Sequence, residues 1–338
     1  MKNNRIITLA FETSCDETSV AVTAGGREVL SNVISSQIDV HKVFGGVVPE
    51  IASRRHLENI NAVFEQAMSE ASVKPDDVDI IGVTCGPGLV GALLIGVATA
   101  KTLSFVWNKP LVGVNHMHGH ISANYITHKE LKPPFIALVI SGGHTSIVEV
   151  TGFNECRTLG KTRDDAAGEA FDKVARVLGL PYPGGPAIDE AAKAGNPRAV
   201  EFKRVYLEKD SLDFSFSGIK TGVMNYLNSE RQAGRDVSVA DVAASFQTAV
   251  MEVVVSKAAA AVTGMKKDKL VLAGGVAANS LLRKMLAEEC ERRGISLYYP
   301  PPDLCTDNAA MIACAAYYKY KGGATDGLDL DAFANLEL

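Results

Sequence analysis

Three histidines stand two residues apart in the stretch PLVGVNHMHGHISAN, residues 110–124: His116, His118 and His120. If a helix begins after Asn115, residues four apart share one face, so His116 and His120 point the same way and His118 points away from them. Two imidazoles at this spacing can hold a transition metal, and imidazole suits iron, zinc, copper or nickel. The alternative is an ordinary helix start, in which Asn115 is the N-cap and the histidines share no role.

The elements that would position these histidines follow one pattern in both halves of the chain. Apolar strands are predicted in the first half at residues 5–11, 19–23, 29–34, 79–84 and 111–114, and in the second half at residues 135–140, 145–150, 269–273 and 295–299. Segments with apolar residues at helical spacing separate the later strands of each half. The longest predicted helix runs from residue 239 to about residue 262, with Ser238 and Asp241 as its capping box.

Such a repeat is typical of the actin, Hsp70 and sugar-kinase (ASKHA) superfamily, an α/β fold with two lobes and a nucleotide cleft between them. The expected division is a first lobe over residues 1–130, a second lobe over residues 131–320 with a helical insertion at about 165–265, and a tail over residues 321–338. Glycine turns at strand ends in both halves support this interpretation, because such turns let phosphate approach backbone N–H groups. Two unrelated α/β units are the alternative.

The repeat also predicts a third metal ligand. His116 follows the last strand of the first half, and Asp307 follows the last strand of the second half, in CTDNAAMIA. Pseudo-twofold symmetry would bring these two helix starts together, so that one metal would tie the two lobes to each other. Two histidines and one aspartate leave coordination positions open, as catalytic metal sites do. The alternative for Asp307 is an N-cap of the last helix.

Composition limits the function. The chain has 338 residues, 22% of them charged, and a formal net charge of −5, which indicates a soluble globular protein without general affinity for DNA or RNA, although a local basic patch stays open. Its six cysteines form no C-x-x-C pair, which favours reduced thiols in a cytoplasmic protein. The first residues contain too short an apolar run for a signal peptide. The longest apolar run, residues 89–100, is shorter than the roughly 20 residues of a membrane span, so a buried helix is expected there.

Nine stretches spread over the chain point to one family: FETSCDETSVAV, GGVVPEIASRRH, CGPGLVGALLIG, NHMHGHISA, LVISGGHTSIV, DDAAGEAFDKVARVLGLPYPGGPAID, FSFSGIKTGV, LAGGVAAN and CTDNAAMIA. In this combination the sequence closely resembles the TsaD type of tRNA N6-threonylcarbamoyladenosine transferase, once labelled O-sialoglycoprotein endopeptidase. The sequence shows no appended kinase domain, and in this respect it resembles the bacterial form of the family. The endopeptidase label does not fit, because the histidine stretch lacks the H-E-x-x-H pattern and therefore the glutamate general base of a zinc peptidase.

The resemblance implies site residues. The family's metal ligands match His116, His120 and Asp307, with one divalent metal per subunit, Fe²⁺ as first choice and Zn²⁺ as the alternative. Its catalytic acidic pair resembles Asp16 and Glu17. Its threonylcarbamoyl-adenylate or nucleotide site matches the following residues: Val139, Ile140, Ser141, Gly142, Gly143, Asp172, Gly185, Asp189 and Asn279. In physical terms, the glycine turn can cradle phosphate, and the two aspartates can accept hydrogen bonds from ribose hydroxyls.

Structural alternatives stay open for several of these positions. Asp172 can be a surface helix residue, Gly185 a turn before a proline, and Asp189 an acid in the first turn of a helix. Asp16 and Glu17 can equally form a solvated turn between two strands. Geometry is needed to decide among these possibilities.

The resemblance implies transfer of a threonylcarbamoyl group from threonylcarbamoyl-AMP to N6 of the adenosine at position 37, 3′ of the anticodon, in tRNAs that read ANN codons. The products are t6A and AMP. The implied partners are tRNA, a paralogous TsaB-type subunit and a small TsaE-type ATPase, with no membrane and no DNA. Candidate tRNA contacts, each of which can also be a solvated charge, are Arg54, Arg55, His56, Lys161, Arg163 and Lys173.

Two other functions fit the same fold. One is an ATP-dependent small-molecule kinase, which would need no histidine metal site because Mg²⁺ prefers oxygen ligands. The other is a non-catalytic scaffold whose state depends on a bound nucleotide.

Overall fold

The first sheet of the computed structural model, which describes residues 5–338, has five strands in the order β3-β2-β1-β4-β5. Its strands are β1 (Ile7–Glu12), β2 (Glu17–Ala24), β3 (Glu28–Ser36), β4 (Ile80–Gly86) and β5 (Leu111–Asn115). The first three pair antiparallel in succession, whereas β4 runs parallel to β1 and β5 parallel to β4. Parallel neighbours need long crossover connections. These contain the helices α1 (Ile38–His41), α2 (Pro49–Ala71) and α3 (Val90–Trp107), and α4 (His116–Thr127) follows β5.

The second sheet repeats this arrangement, with the order β10-β9-β6-β7-β8. Its strands are β6 (Phe135–Ile140), β7 (Thr145–Gly152), β8 (Glu155–Lys161), β9 (Lys269–Ala273) and β10 (Ser296–Tyr298). β6 and β7 are antiparallel, β9 is parallel to β6, and β10 is parallel to β9. The helices between β8 and β10 are α5 (Ala167–Val177), α6 (Gly184–Ala192), α7 (Ser217–Gln232), α8 (Val239–Gly264) and α9 (Ser280–Arg293). After β10 the chain forms α10 (Pro302–Cys305) and α11 (Ala309–Lys321).

Read from its other edge, the second sheet has the order β8-β7-β6-β9-β10, which corresponds strand by strand to β3-β2-β1-β4-β5 of the first sheet. This shared order confirms the predicted α/β repeat. β6 is apolar and fully buried along its length, as expected for a strand covered on both faces. The expected helical insertion corresponds to α5, α6, α7 and α8, which all lie between β8 and β9.

The described chain divides into two compact units. Unit 1 comprises residues up to Pro133 together with Thr151–Cys156 and Pro300–Leu338, and unit 2 comprises Pro134–Val150 and Arg157–Tyr299. The last helix, α11, thus belongs with the first sheet, whereas the sequence pattern placed residues up to 320 in the second lobe. The reason is packing: Met311, Ile312 and Ala316 of α11 are fully buried in one apolar cluster with Ala10 of β1 and Val112 of β5.

Small residues allow α11 to approach α4 closely. A Cβ atom at Gly119 of α4 would lie 2.5 Å from Ile312 Cδ1, and one at Gly82 of β4 would lie 2.7 Å from Ala316 Cβ. Larger side chains at these positions would force α11 away from α4 and from β4, because tightly packed interiors tolerate little extra volume. The close approach brings the start of α11 beside the start of α4.

The C-terminal segment lies along the edge of the first sheet. Asp326 forms an isolated antiparallel bridge with Leu111, and its carboxylate accepts a hydrogen bond from Gly113 N at 2.8 Å. Phe333 N donates to Cys85 O at 2.7 Å. The predicted tail is therefore an ordered cover for β5, and such a cover protects an edge strand from unwanted pairing.

Two helices, α3 and α8, are long and apolar enough by composition to cross a membrane. Core helices of soluble proteins pass the same test, and the apolar window of α8 is 67% buried inside the protein. For α3 the corresponding fraction is 33%, so the expectation of a buried helix holds for one face only. Val90, Leu94 and Phe105 of α3 are exposed.

The start of α8 confirms part of the predicted capping box. The Ser238 side chain accepts a hydrogen bond from Asp241 N, as an N-cap does. The Asp241 carboxylate accepts a hydrogen bond from Asn196 N at 2.7 Å and so anchors the segment after α6.

Candidate functional site

The three predicted metal ligands come together inside unit 1. Asp307 Oδ1 lies 3.4 Å from His116 Nε2 and 3.3 Å from His120 Nε2. Both histidines are buried, and despite the nearby carboxylate neither ring nitrogen of His120 forms a hydrogen bond of acceptable geometry within residues 5–338. Buried polar atoms without partners are costly unless a ligand satisfies them. Two imidazoles and a carboxylate within 4.8 Å of one another therefore fit a transition-metal ion.

The position of this cluster corrects the expectation that a metal would tie two lobes together. Asp307 comes from the second half of the sequence, but it precedes α11, which packs in unit 1. All three side chains thus belong to one compact unit.

Helix capping removes the structural alternative for Asp307. The N-cap of α11 is Asn308, whose side chain accepts a hydrogen bond from Met311 N. Asn115 caps α4 in the same way through Met117 N, as the sequence predicts. The Asp307 carboxylate is therefore not needed for a cap and faces the two histidines.

His118 points away from the cluster, as its spacing predicts. Its Nε2 atom lies 2.7 Å from Cys156 Sγ. Burial lowers the pKa of His118 to about 4, so the ring is neutral near pH 7. All six cysteines are free thiols, in agreement with the sequence interpretation.

Glu12, at the end of β1, is a site residue that the sequence interpretation missed. Its side chain is fully buried and accepts hydrogen bonds from Ser14 N at 2.5 Å, Thr84 Oγ1 at 2.6 Å and His116 Nδ1 at 3.0 Å. His116 Nδ1 must carry the proton to donate to this carboxylate, which leaves Nε2 free to act as a ligand. Carboxylates commonly orient metal-binding histidines in this way. The available signal was an acidic residue that ends an otherwise apolar strand.

The electrostatics agree with this arrangement. Burial alone would lower the pKa of His116, but the nearby carboxylates of Glu12 and Asp307 raise it well above its ordinary value. Burial would raise the pKa of Asp307, and His116 and His120 outweigh it and lower that pKa. The carboxylates are thus ionised, as metal ligands and their supporting groups must be.

The acidic turn before β2 is not a solvated turn. Asp16 is only 7% exposed. Burial, together with the charges of Asp307 and Asp16, raises the pKa of Glu17 well above its ordinary value. Ser14 Oγ of the same segment lies 3.2 Å from His116 Nδ1, so the turn lies beside the two histidines and Asp307.

His56 holds the same turn in place, which corrects its assignment as a tRNA contact. Its ring is fully buried, with Nδ1 2.8 Å from Thr18 Oγ1 and Nε2 2.9 Å from Cys15 O. Nε2–H therefore donates to the carbonyl, and Nδ1 accepts from the hydroxyl. These two partners lie on either side of Asp16 and Glu17, so the ring fixes the path of the turn.

Most other candidate tRNA contacts are paired with acids. Arg54 and Arg55 form ion pairs with Glu50 and Glu58 on α2. Similar pairs link Arg163 to Glu208 and Asp213, and Lys173 to Asp165 and Glu169. Exposed pairs of this kind are weak, so they neither exclude nor favour contact with RNA phosphates.

The predicted nucleotide residues lie in unit 2, beginning with Val139 and Ile140, which are the buried last residues of β6, and the turn of residues 141–143 that follows. Cβ atoms built at Gly142 and Gly143 would meet nothing within 4 Å. Neither glycine has a positive φ, so open space rather than a special conformation distinguishes them. Gly168 of α5 packs against this turn, because a Cβ there would lie 2.6 Å from Ser141 O.

The remaining predicted residues surround the starts of α6 and α9. Asp172 Oδ1 accepts a hydrogen bond from Gly184 N at 2.7 Å, at the first residue of α6. A Cβ at Gly185 would meet nothing within 4 Å, as at the β6 turn. Asp189 accepts hydrogen bonds from Ser280 N and Oγ, and Asn279 caps α9. The alternatives for Gly185 and Asp189 are wrong, because Gly185 lies within α6 and the first turn of α6 contains no acidic residue. Asp172 is half-buried on α5, and both carboxylates also support the local fold.

Solved structures share this architecture. Full-length HypF, in a phosphate- and nucleotide-bound form, superposes with a TM-score of 0.63 over 94% of this chain and 46% of that one, at 15% identity. Component A of (R)-2-hydroxyglutaryl-CoA dehydratase from Acidaminococcus fermentans gives a TM-score of 0.54 over 94% of this chain and 99% of that one, at 15% identity. At such low identity these likenesses concern the fold alone. They show that the chain has the α/β fold of these proteins, which is ASKHA-like.

Sequence relatives define the family. A family model described as tRNA N6-adenosine threonylcarbamoyltransferase, TsaD, matches residues 28–314. The protein of that name from Clostridioides difficile (strain 630) is 57% identical over 333 residues, 98% of each chain. The one from Clostridium botulinum (strain Kyoto / Type A2) is 58% identical over 330 residues, 98% of this chain and 97% of that one. This chain belongs to the TsaD family of tRNA-modifying transferases, which confirms the resemblance read from its motifs.

Proposed function

We propose that this enzyme transfers the threonylcarbamoyl group of threonylcarbamoyl-AMP to N6 of adenosine 37 in tRNAs that read ANN codons. The near full-length similarity to tRNA N6-adenosine threonylcarbamoyltransferases carries this proposal. The products are t6A and AMP. The reaction takes place in the cytoplasm, where unmodified tRNA is available.

The transfer needs one nucleophile, one leaving group and one proton acceptor. The N6 amine attacks the carbamoyl carbonyl carbon, a C–N bond forms, and the bond from that carbon to the phosphate oxygen breaks. AMP leaves with the electron pair of the broken bond, and the amine loses a proton. Asp16 and Glu17 are the candidate acceptors, because Asp16 is buried and the segment that carries both lies beside His116.

His116, His120 and Asp307 would hold the metal, Fe²⁺ as first choice and Zn²⁺ as the alternative. Two histidines and one carboxylate are the usual protein ligands of non-haem Fe²⁺, and zinc accepts the same donors. Such an ion supplies Lewis-acid polarisation of a carbonyl group. Glu12 accepts the Nδ1–H of His116, so in the neutral ring Nε2 is the atom that can bind a metal, and it lies 3.4 Å from Asp307 Oδ1.

The glycine turn after β6 would bind the adenylate. The open space at Gly142 and Gly143 lets phosphate approach the backbone, and the Asp172 and Asp189 side chains can accept hydrogen bonds from ribose hydroxyls. Gly185 offers a second open approach at the start of α6, and Asn279 supplies an amide for the nucleoside.

A paralogous TsaB-type subunit and a TsaE-type ATPase are the proposed protein partners. An exposed apolar strip supports a partner on α2 and α3. The two helices touch where a Cβ at Gly91 would lie 2.5 Å from Ser53 Oγ, and one turn further Leu57 and Leu94 are exposed. Leu94→Asp should abolish co-purification with the TsaB-type subunit without changing the circular dichroism spectrum. Undiminished complex formation would exclude this surface.

A reconstituted assay tests the function. Protein, threonylcarbamoyl-AMP and unmodified tRNA are incubated with and without the proposed partners, and nucleosides are analysed by mass spectrometry. Formation of t6A that depends on this chain supports the proposal. Sugar-dependent ATP hydrolysis without t6A would instead indicate a kinase, and adenylate binding without either reaction would indicate a scaffold.

A further inference from the structure

One buried amide links two residues of the nucleotide site. Gln247 lies on α8 and is 3% exposed. Its Nε2 atom donates to Asp189 Oδ1 at 3.1 Å, and its Oε1 atom accepts from Asn279 Nδ2 at 2.9 Å. A single side chain thus connects α6 to the residue before α9.

The hydrogen bonds fix the orientation of the two amide groups, those of Gln247 and Asn279. Asn279 Oδ1 accepts from Leu282 N at 2.9 Å, so the amide nitrogen must face Gln247. A flipped Gln247 would set oxygen against the Asp189 carboxylate and nitrogen against the Asn279 nitrogen. The observed orientation is therefore the one in which both contacts are attractive.

The remaining hydrogen-bonding capacity suits one kind of ligand group. A carboxylate offers about four acceptor sites. Gln247 Nε2 and Ser280 Oγ occupy Asp189 Oδ1, and Ser280 N lies 3.1 Å from Oδ2. The Asn279 amide nitrogen has a second hydrogen beyond the one given to Gln247. Asp189 thus offers an acceptor and Asn279 a donor, and both residues are held by Gln247. This pair matches a hydroxyl group, which can both donate and accept.

We infer that Gln247 is a positioning residue that holds Asp189 and Asn279 so that they recognise a ribose hydroxyl of the adenylate. The inference rests on the proposed function in one respect, which is that the ligand is an adenylate. Gln247 itself does not touch the nucleotide, because it is buried behind the two residues that it aligns.

Calorimetry with AMP, 2′-deoxy-AMP and 3′-deoxy-AMP tests the inference. The wild type should bind AMP about tenfold more tightly than at least one deoxy analogue, because a hydrogen bond to a charged group is lost. In Gln247→Leu this preference should fall to within about twofold, since Asp189 and Asn279 lose their common support. In Gln247→Glu an oxygen faces the Asp189 carboxylate, and AMP affinity should fall by about tenfold or more.

A control on the same helix separates positioning from general loosening. Val254 of α8 is fully buried, so Val254→Ala should lower stability in urea. It should leave the AMP to deoxy-AMP ratio unchanged. Circular dichroism establishes which variants are folded. If Gln247→Leu does not fold, Gln247→Glu provides the test instead.

The outcomes distinguish this inference from the proposed function. An unchanged ratio in the folded Gln247 variants, an equal loss in Val254→Ala, or a wild type without hydroxyl preference overturns the inference. A ratio that falls as expected supports it even if the reconstituted assay yields no t6A. In that case the transfer proposal alone fails.

Discussion

His116 shows at the residue scale how neighbours give a common side chain a defined role. Glu12 accepts a hydrogen bond from Nδ1, and Asp307 Oδ1 lies 3.4 Å from Nε2. The same principle applies to His56, whose two ring nitrogens hold the acidic turn. The chemistry of each histidine is therefore set by which nitrogen is occupied.

We predict that Asp307→Ala lowers metal binding sharply, although this residue is far from the histidines in sequence. His118→Ala should keep the metal, because its ring faces Cys156 instead of the cluster. The measurement is the metal-to-protein ratio of each purified variant, with circular dichroism as a control for folding. A full site in Asp307→Ala and an empty one in His118→Ala would show that the ligand assignment is wrong.

Glu12→Gln should weaken metal binding by about 10- to 100-fold, the usual cost of removing a carboxylate that orients a ligand. The replacement has nearly the same shape but lacks the charge that favours a proton on His116 Nδ1. Chelator competition gives the affinity. Thr84→Val, which removes one donor to Glu12 and keeps its charge, should have a smaller effect. Equal affinity in Glu12→Gln and the wild type would refute the role of Glu12.

Acid should destabilise the protein partly through His56. Burial lowers the pKa of its ring below the ordinary value of 6.5, so the unfolded chain takes up this proton more readily than the folded one. The stabilising contribution is complete above that value and is lost as the pH falls below it. The urea midpoint should therefore drop less in His56→Gln than in the wild type between about pH 7.5 and about pH 5.5. Equal drops would contradict this account.

Spacing and motifs were enough to predict that His116, His120 and Asp307 lie together, whereas Glu12 and Gln247 escaped notice. His116 and His120 share a helix face, and their spacing of four residues is enough to predict this. Glu12 meets His116 only after two strands pair through β4, and Gln247 meets Asp189 through the packing of α6 on α8. Such long-range contacts leave no local pattern.

At the element scale, the turn after β6 combines an open backbone with a fixed position. Gly168 of α5 lets the helix press against Ser141 O, while the turn glycines face free space. Strand ends with glycine were recognisable in the sequence. The sequence did not show that Gly168 is tightly packed whereas Gly142 and Gly143 face open space. That difference depends on α5, whose contacts are distant in sequence.

Gly143→Val should weaken AMP binding by about tenfold or more while leaving the fold intact. The added side chain would meet no protein atom near its Cβ, so it would obstruct only a phosphate at the backbone. Calorimetry measures the affinity. Gly264→Val is a matched control, because that glycine also faces open space but lies at the end of α8. Equal affinities for AMP in both variants would rule out the turn as the phosphate site.

At the scale of the whole molecule, the internal repeat was predictable and the location of the last helix was not. Strand order follows from the alternation of apolar runs and turns, which recurs in both halves. The membership of α11 in unit 1 depends on Gly119 and Gly82, whose missing side chains admit Ile312 and Ala316. A repeat in sequence therefore gave the architecture but not the assignment of Asp307 to one unit.

The central claim is that this chain itself transfers the threonylcarbamoyl group. The most direct measurement is a single-turnover reaction with enzyme in excess over isotopically labelled threonylcarbamoyl-AMP and unmodified tRNA, with the partner proteins present. The account predicts labelled t6A and AMP in equal amounts with the wild type, and almost no t6A with Asp307→Ala. Equal t6A from both enzymes, or AMP release without t6A in the wild-type reaction, would contradict it.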